Sequence, residues 1–245
     1  MKDNFSGHAA DYAKFRPTYP QALFTYLYSL LDHKEHAWDC ATGNGQVAVE
    51  LANVFDQVWA TDLSVNQLKE AEKRQNINYG IQTAEKTISY KNTFDLITVA
   101  QAVHWFDFEK FYANVNQSLK KNGILALIGY SVFTTEDSLN DIIQYFYNDI
   151  IGKYWDEERK YLDDHYRSLP FPFTEEVVPT LKMEVQWTKD QFLNYLNTWS
   201  AVKHYEKKIG KNPLKLIEND VKMNWGTDEK KLFEFPLLLR VGRKI

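Results

Sequence analysis

The stretch Trp38-Asp39-Cys40-Ala41-Thr42-Gly43-Asn44-Gly45 lies between a short apolar run and a helical pattern, and with Gln46, Val47 and Ala48 it completes G-x-G-x-x-A. A loop of this kind, entered from a strand and leaving into a helix, lets the backbone turn tightly and approach a ligand, and with the strand and helix that follow it reads as a parallel α/β unit. Alone, the match is weak. Two acids strengthen it: Asp39 closes the strand before the loop, and Asp62 closes the next strand at the distance where such folds take a ribose hydroxyl. An adenosine ligand is expected, with its remainder open at this point.

Around the loop, strands and helices alternate. Residues 5–20 form a polar-aromatic arm, and Pro20 suits the first turn of a helix carrying Leu23, Leu27, Leu30 and Leu31 inward. The loop is thus not N-terminal, where dinucleotide dehydrogenases often place it. Residues 36–41 read as the first strand, and Val47, Leu51 and Val54 as the buried stripe of a helix starting at Gly45. Residues 57–62 are the second strand, and Ser64 with Gln67 is a capping box for a helix through Arg74. A weaker third strand spans 77–84. The fourth, 95–102, is apolar along most of its length, as a central parallel strand should be. His104-Trp105-Phe106 follows at the carboxyl edge of the sheet, where open α/β sheets bind ligands. Asp107 caps a helix with Phe108, Phe111, Val115 and Leu119 inward, Lys120 to Gly123 stop it, and 124–128 form the fifth strand.

From Tyr130 the alternation breaks for about a hundred residues, a length a compact fold does not need unless it is functional. This segment reads as a cover over the sheet edge. Its parts are a helix with Leu139, Ile142, Ile143, Phe146 and Ile150 inward, stopped at Gly152; a strand at 183–187; and a helix opened by the capping box Thr188 and Gln191, with Phe192, Leu196, Trp199 and Val202 inward. A helix at 214–225 closes on Gly226, and a late strand at 232–241 pairs antiparallel with 183–187. The expected fold is a doubly wound, mostly parallel seven-stranded sheet of Rossmann-like type, with a late antiparallel strand and a helical cover. It forms a single domain over 1–245, in which 1–130 and 231–245 are the core and 131–230 largely the cover.

Lys and Arg total 29 against 33 Asp and Glu, with no basic run that could track a phosphate backbone, so nucleic acid is not an expected partner. No apolar run approaches a membrane span and the N-terminus lacks a signal's apolar core, which points to a cytosolic protein with no membrane partner. The lone Cys40 excludes an internal disulfide and a multi-cysteine metal site, and no metal is expected.

Asp39 narrows the ligand, because an acid against the loop suits an ammonium group and disfavours a pyrophosphate. The pattern resembles the class I, seven-strand S-adenosylmethionine-dependent methyltransferases. In that family the acid-containing glycine loop matches Asp39 to Gly45, the ribose acid matches Asp62, and the adenine side matches Thr83-Ala84-Glu85. The blocks YAKFRPTYP, AVHWFDFEKF, KYWDEERKYLDDHY, NTWSAVKHY and LLLRVGRK are similar to the trans-aconitate methyltransferase group and its relatives. The resemblance implies S-adenosyl-L-methionine as cofactor and S-adenosyl-L-homocysteine as product, held by Tyr12, Arg16, Asp39, Ala41, Gly43, Gly45, Asp62, Leu63, Ala84, Glu85 and Gln101. Tyr12 and Arg16 would close over the methionine end. The family's usual first glycine is Ala41 here, which the loop accepts provided that φ stays negative. Thr83 stands where many relatives carry an acid, so the adenine contact is expected to shift to the backbone of Ala84 or Glu85.

Methyl transfer from a sulfonium is an in-line displacement, so the protein mainly aligns the reactants and excludes water. A small carboxylate acceptor is ionised at neutral pH and needs donors, for which Arg16, His104, Arg159 and Lys203 are candidates. For a phenol or amine, His104 is the best-placed base and the catalytic candidate. Trp105, Tyr154, Trp155, Arg159 and Trp199 are candidates for the substrate pocket, although aromatics at helical spacing, Trp199 above all, serve equally as core. Two other classes stay open, a cofactor-binding protein without turnover and a nicotinamide-dependent oxidoreductase. The acceptor and the oligomeric state are not fixed by the sequence.

Overall fold

A computed structural model describes residues 17–86, 89–135 and 138–245. Five parallel strands, β1 (His36–Cys40), β2 (Gln57–Asp62), β3 (Ile77–Ile81), β4 (Phe94–Ala100) and β5 (Leu119–Tyr130), build the sheet, and three more, β6 (Thr174–Glu175), β7 (Lys182–Trp187) and β8 (Lys231–Arg243), complete it. The path runs β3-β2-β1-β4-β5-β8-β6, with β7 attached to β8 off that path. Seven strands therefore lie in line, as expected, and β7 is an eighth. The strand order reverses between β1 and β4, so their carboxyl ends flank the crevice in which open α/β sheets bind ligands.

β8 serves two structures. Its C-terminal half pairs antiparallel with β5, from Leu237 opposite Tyr130 to Arg243 opposite Ile124. Its N-terminal half pairs antiparallel with β7, from Lys231 opposite Trp187 to Pro236 opposite Lys182. The sheet and the cover thus share one strand.

Helices α1 (Gln21–Ser29) and α2 (Gln46–Leu51) pack on one face of the sheet, through Leu23, Phe24, Leu27, Val47 and Leu51 against Leu96, Ile124 and Ile128. After the short α3 (Val65–Lys69), α4 (Phe108–Ser118) packs on the other face, through Phe111 and Val115 against Ile97, Val99, Leu125 and Leu127. The cover has a separate aromatic core around Phe133, which lies within ring contact of Trp187, Phe192, Tyr195, Trp199, Phe233 and Phe235. Among the described residues, no helix is long and apolar enough to cross a membrane.

Several boundaries depart from the sequence reading, each for a local reason. Helix α2 ends at Leu51, so Val54 is 40% exposed and Phe55 takes its inward place. Strand β3 stops at Ile81 and β4 at Ala100, which leaves Ala84 and Gln101 in the loops beyond them. Lys120 to Gly123 do not stop α4, since they already belong to β5. The Lys244 ammonium does that instead, donating to the carbonyls of Asn116 (2.5 Å) and Leu119 (2.7 Å), where a cation meets the negative end of the helix. Lys120 turns to Glu35 and Asp95 at 2.7 and 2.8 Å.

The expected helix through Trp199 is two helices, α7 (Lys189–Asn197) and α8 (Ser200–Ile209). Both halves of the Thr188 and Gln191 capping box are present at its start. Thr198 ends α7 by donating its hydroxyl back to the Tyr195 carbonyl (2.7 Å), and Trp199 becomes the extended cap of α8. Between α5 (Leu139–Tyr145) and Gly152 the helix widens into a π turn over Phe146–Ile150. A π turn re-aims the side chains on it and recurs at functional sites. Short α6 (Lys160–Asp163) and α9 (Glu218–Trp225) complete the cover.

Candidate active site

The loop after β1 is held from below and from the side. Thr42 N–H donates to the Thr61 carbonyl (2.9 Å), and Gly45 N–H to the Thr42 carbonyl (3.0 Å). Ala41 has φ +56°, against the negative value expected of it. An alanine in this left-handed region costs about 1–2 kcal/mol, so the loop imposes the conformation that glycine would adopt freely. At Gly45 the demand is stronger: φ is +83°, and a Cβ there would sit 2.5 Å from the Tyr79 hydroxyl, so that the tyrosine would have to move.

The two acids fill different roles. Asp39 is 1% exposed and accepts from the Thr98 hydroxyl (2.8 Å) through one oxygen and from the Thr42 hydroxyl through the other. Burial pushes its carboxyl up to about 6, against the pull of the two threonine hydrogen bonds. Asp62 accepts from Gly43 N–H (2.9 Å) and from Ser64 N–H (2.8 Å), pinning the loop to the start of α3.

Two cavities open above this floor. The loop cavity is walled by Tyr19, Ala41 to Asn44, Gln46, Val47, Ala100, Gln101 and Tyr130. The inner cavity, of about 50 Å³, is walled by Gln101, His104, Trp105, Tyr130 to Val132, Trp155, Asp156, Arg159, Leu162, Tyr195, Trp199 and Ser200. Gln101 and Tyr130 belong to both. Gln101 also has φ +56°; its N–H donates to the Ile128 carbonyl (2.8 Å) and its amide to the Tyr130 carbonyl (3.2 Å). The strained residues Ala41 and Gln101 thus both line the loop cavity, and strain of this kind clusters at ligand sites.

In the inner cavity, Arg159 lies with its guanidinium 4.5 Å from the Trp155 ring centre. Its Nε donates to the Tyr147 hydroxyl (2.8 Å) and lies 3.4 Å from Asp163. Tyr147 stands on the π turn and donates onward to Asp163 (2.7 Å). Among the described residues nothing bonds Nη1 or Nη2, which leaves the paired ends of the fork toward the cavity. His104 is 4% exposed, packs 4.9 Å from Trp105 between ring centres, and carries a sealed Nδ1 without a partner among the described residues. Burial, reinforced by the positive charge of Arg159, lowers its pKa to about 3, so the ring is neutral at physiological pH. A base so weak is poorly matched to proton abstraction near pH 7.

Of the residues expected from sequence, Ala41, Gly43 and Gln101 line the loop cavity, and His104, Trp105, Trp155, Arg159 and Trp199 meet in the inner one. Gly45 lies at the start of α2 on a neighbouring cleft, and Leu63 is half-buried between Asp62 and Ser64. Ala84 is buried, with its carbonyl accepting from Asn114 (2.8 Å), while Glu85 accepts from Asp107 N–H (3.3 Å). Tyr12 and Arg16 lie outside the described residues. Tyr154 is not on the cavity: it packs against Tyr205, with Lys153 and Lys208 over its ring. Lys203 reaches toward Glu206 (4.0 Å) instead. Tyr130, Ser131, Asp156, Tyr195 and Ser200 were not legible as site residues, because only the cover's tertiary packing brings them there.

The comparisons with known proteins agree with this geometry. A model of the methyltransferase domain matches residues 38–127. A methyltransferase of Dictyostelium discoideum is 31% identical over 250 residues, covering 99% of this chain and 95% of that protein. The structure of a type II methyltransferase from Anaeromyxobacter dehalogenans superposes with a TM-score of 0.86 at 33% identity, covering 94% of this chain and 98% of that one. An uncharacterised methyltransferase of Mycobacterium tuberculosis H37Rv is 27% identical over 204 residues, covering 82% of this chain and 75% of that protein. The chain belongs to the class I methyltransferases, enzymes with a Rossmann-like sheet that take their methyl group from S-adenosylmethionine and release S-adenosylhomocysteine.

The residues present fit that cofactor. Among the described residues, the one atom within 4 Å of where a Gly43 Cβ would sit is the Gln67 amide oxygen, and Gly43 N–H donates to the Asp62 carboxylate.

Proposed function

We propose that this methyltransferase acts on a small carboxylic acid, held by Arg159 in the inner cavity with the carboxylate turned toward Gln101 and Tyr130. The observation that carries the reading is the state of Arg159. Its Nε is engaged by Tyr147 and Asp163, its guanidinium lies over the Trp155 ring, and among the described residues no hydrogen bond or ion pair engages its two terminal nitrogens. A fork fixed in this way suits bidentate recognition of a carboxylate. Bound at the loop, the cofactor supplies an activated methyl group, and an ionised carboxylate accepts it without any proton transfer. This agrees with a His104 that stays neutral and is suited to donate a hydrogen bond rather than to act as a base.

The reading includes a single working unit, with residues 131–230 covering the acceptor site of a core made by 1–130 and 231–245. It also includes a cytosolic setting and a free small molecule rather than nucleic acid as acceptor. The similarity of the five sequence blocks to the trans-aconitate methyltransferase group supports an acid as substrate. Asp156, on the same wall, favours a second reading in which the acceptor is an amine. A panel of carboxylic acids, amines and phenols, followed by release of S-adenosylhomocysteine and mass of the product, tests both. Methyl esters are expected from acids alone. Turnover confined to amines or phenols overturns the carboxylate reading, and cofactor binding without turnover on any class points to a silent binder.

A further inference from the structure

We infer that the sheet face over β2 and β3 holds a second small-molecule site, separate from the cofactor loop and the inner cavity, and that it takes a neutral, flat aromatic ligand. A doubly wound sheet is covered on both faces by the helices that connect its strands. Helices α2, α3 and α4 lie in three of those connections, but residues 82–93, between β3 and β4, contribute no helix among the described residues. On this side of the sheet α4 covers β4 and β5. The face of β2 and β3 beside it holds a cavity of about 450 Å³, walled in part by Trp59, Tyr90 and Phe94. Small-molecule sites commonly measure about 300–1,000 Å³. Neither the loop residues 41–45 nor Asp62, Leu63 or Ala84 line it.

The lining selects the occupant. Trp59 meets Tyr90 and Phe94 edge to face, with ring centres 5.2 and 5.5 Å away, and Tyr90 meets Phe94 at 5.4 Å. The indole N–H groups of Trp38 and Trp59 are taken by the hydroxyls of Thr61 (2.9 Å) and Tyr90 (2.6 Å), so these rings have carbon surface left to offer. Among the described residues no Asp, Glu, Lys, Arg or His lines the cavity, and an ionised ligand would lose its water there without a counter-charge. Gln82, also on the wall, carries an Nε2 without an acceptor among the described residues, a donor that a ligand carbonyl can satisfy. Gly80 points the same way. It lies inside β3, where glycine weakens a strand and where one reason for it is the close approach of a ligand. Its φ is outside the left-handed region, and a Cβ there would meet only Thr61 Cγ2, at 3.8 Å. Neither conformation nor packing therefore demands glycine at this position, and the missing side chain keeps the cavity open.

The test is titration calorimetry on the full chain, with coumarin as the neutral probe and coumarin-3-carboxylate as its charged counterpart. The parent is expected to bind one coumarin, to bind the carboxylate about ten-fold more weakly, and to keep its coumarin when S-adenosylhomocysteine is added. Gly80→Leu, which fills the cavity, should weaken coumarin by about ten-fold, and the smaller Gly80→Val by less. Gln82→Leu should weaken it by about five-fold, the loss of one neutral hydrogen bond. Gly80→Val should melt no lower than the parent, since valine favours a strand, which separates a filled site from a failed fold. Equal coumarin binding by the parent and both Gly80 variants overturns the site. One-for-one displacement by S-adenosylhomocysteine overturns it as well, by putting the probe in the cofactor loop. A parent that binds no coumarin also overturns it, and self-association that Gly80→Leu abolishes would then make a second copy, along the open edge of β3, the occupant.

Discussion

The loop cavity and the inner cavity touch at Gln101 and Tyr130, and they are built in opposite ways. The first is built largely on one loop: residues 41–44, 46 and 47 line it, and the loop is fixed by hydrogen bonds from Thr42, Gly43 and Gly45 within a few residues of one another or to β2. The second is side chain, assembled from a turn at 103–105, the end of β5, the 155–162 segment and the junction of α7 with α8. A site made on one loop can recognise one invariant ligand, whereas a site made of side chains from a cover can be re-specified without disturbing the sheet.

The largest expected effect tests the first half of that contrast. Asp62→Ala removes the proposed ribose acceptor and also the partner of two backbone N–H groups. It should weaken cofactor binding by about 100-fold and lower the melting temperature, because hydrogen bonds to a charged group are worth about 1.5–3 kcal/mol each. Titration calorimetry beside a thermal melt measures both, and a variant that loses neither sinks the assignment. For the second half, Arg159→Gln should raise the acceptor KM by about 30-fold and leave cofactor affinity within two-fold. A loss shared equally between the two ligands would mean that the cavities are not separable.

The cavities also differ in their protons. Asp39, beneath the loop, has a folded pKa raised to about 6, so its stabilising contribution is present below the unfolded value near 3.8 and is lost as pH rises through 6. His104, in the inner cavity, is lowered to about 3, so its contribution is present above 6.5 and is lost as pH falls through 3. Between pH 4 and 6 the two slopes oppose each other and nearly cancel. In Asp39→Asn, stability relative to the parent should therefore climb with pH across that window, and in His104→Gln it should fall, each by up to about 1.4 kcal/mol per pH unit. Denaturant melts at pH 4, 5 and 6 measure the two slopes, and equal profiles for parent and variants would show that neither shift is real.

The smallest effect is expected at Ala41. Glycine there relieves a left-handed alanine but adds freedom to the unfolded chain, and the difference should stabilise Ala41→Gly by about 0.5–1 kcal/mol. A lower melting temperature would show that the loop's strain has been misplaced.

What could be read in the sequence follows the same division. The glycine loop, Asp62 and the Thr188 and Gln191 cap were legible because their partners lie within a few residues or in the next strand. The conformation of Ala41 was not, since negative φ is the default for alanine and only the loop's closure overrides it. The Ser64 and Gln67 box misled because Asp62, two residues before Ser64, competes for the same N–H. In the cover, periodicity placed Trp199 on an inward helix face, but the Thr198 hydroxyl ends that helix and turns Trp199 into the cavity. The partners of Arg159 depend on a π turn that no pattern of apolar residues announces.

The strand shared by sheet and cover has a consequence for how the enzyme assembles. β5 and β7 are both completed by β8, which follows β5 by about a hundred residues, a non-local pairing of the kind that slows folding. Until it docks, each of them shows an open ladder edge, the feature most prone to pairing with another chain. The two halves of β8 should therefore open together in hydrogen exchange, with the amides of β5 and β7 protected to the same free energy. The catalytic cavity would then have no half-built form, because a molecule that has released its cover has also released an interior strand of its sheet.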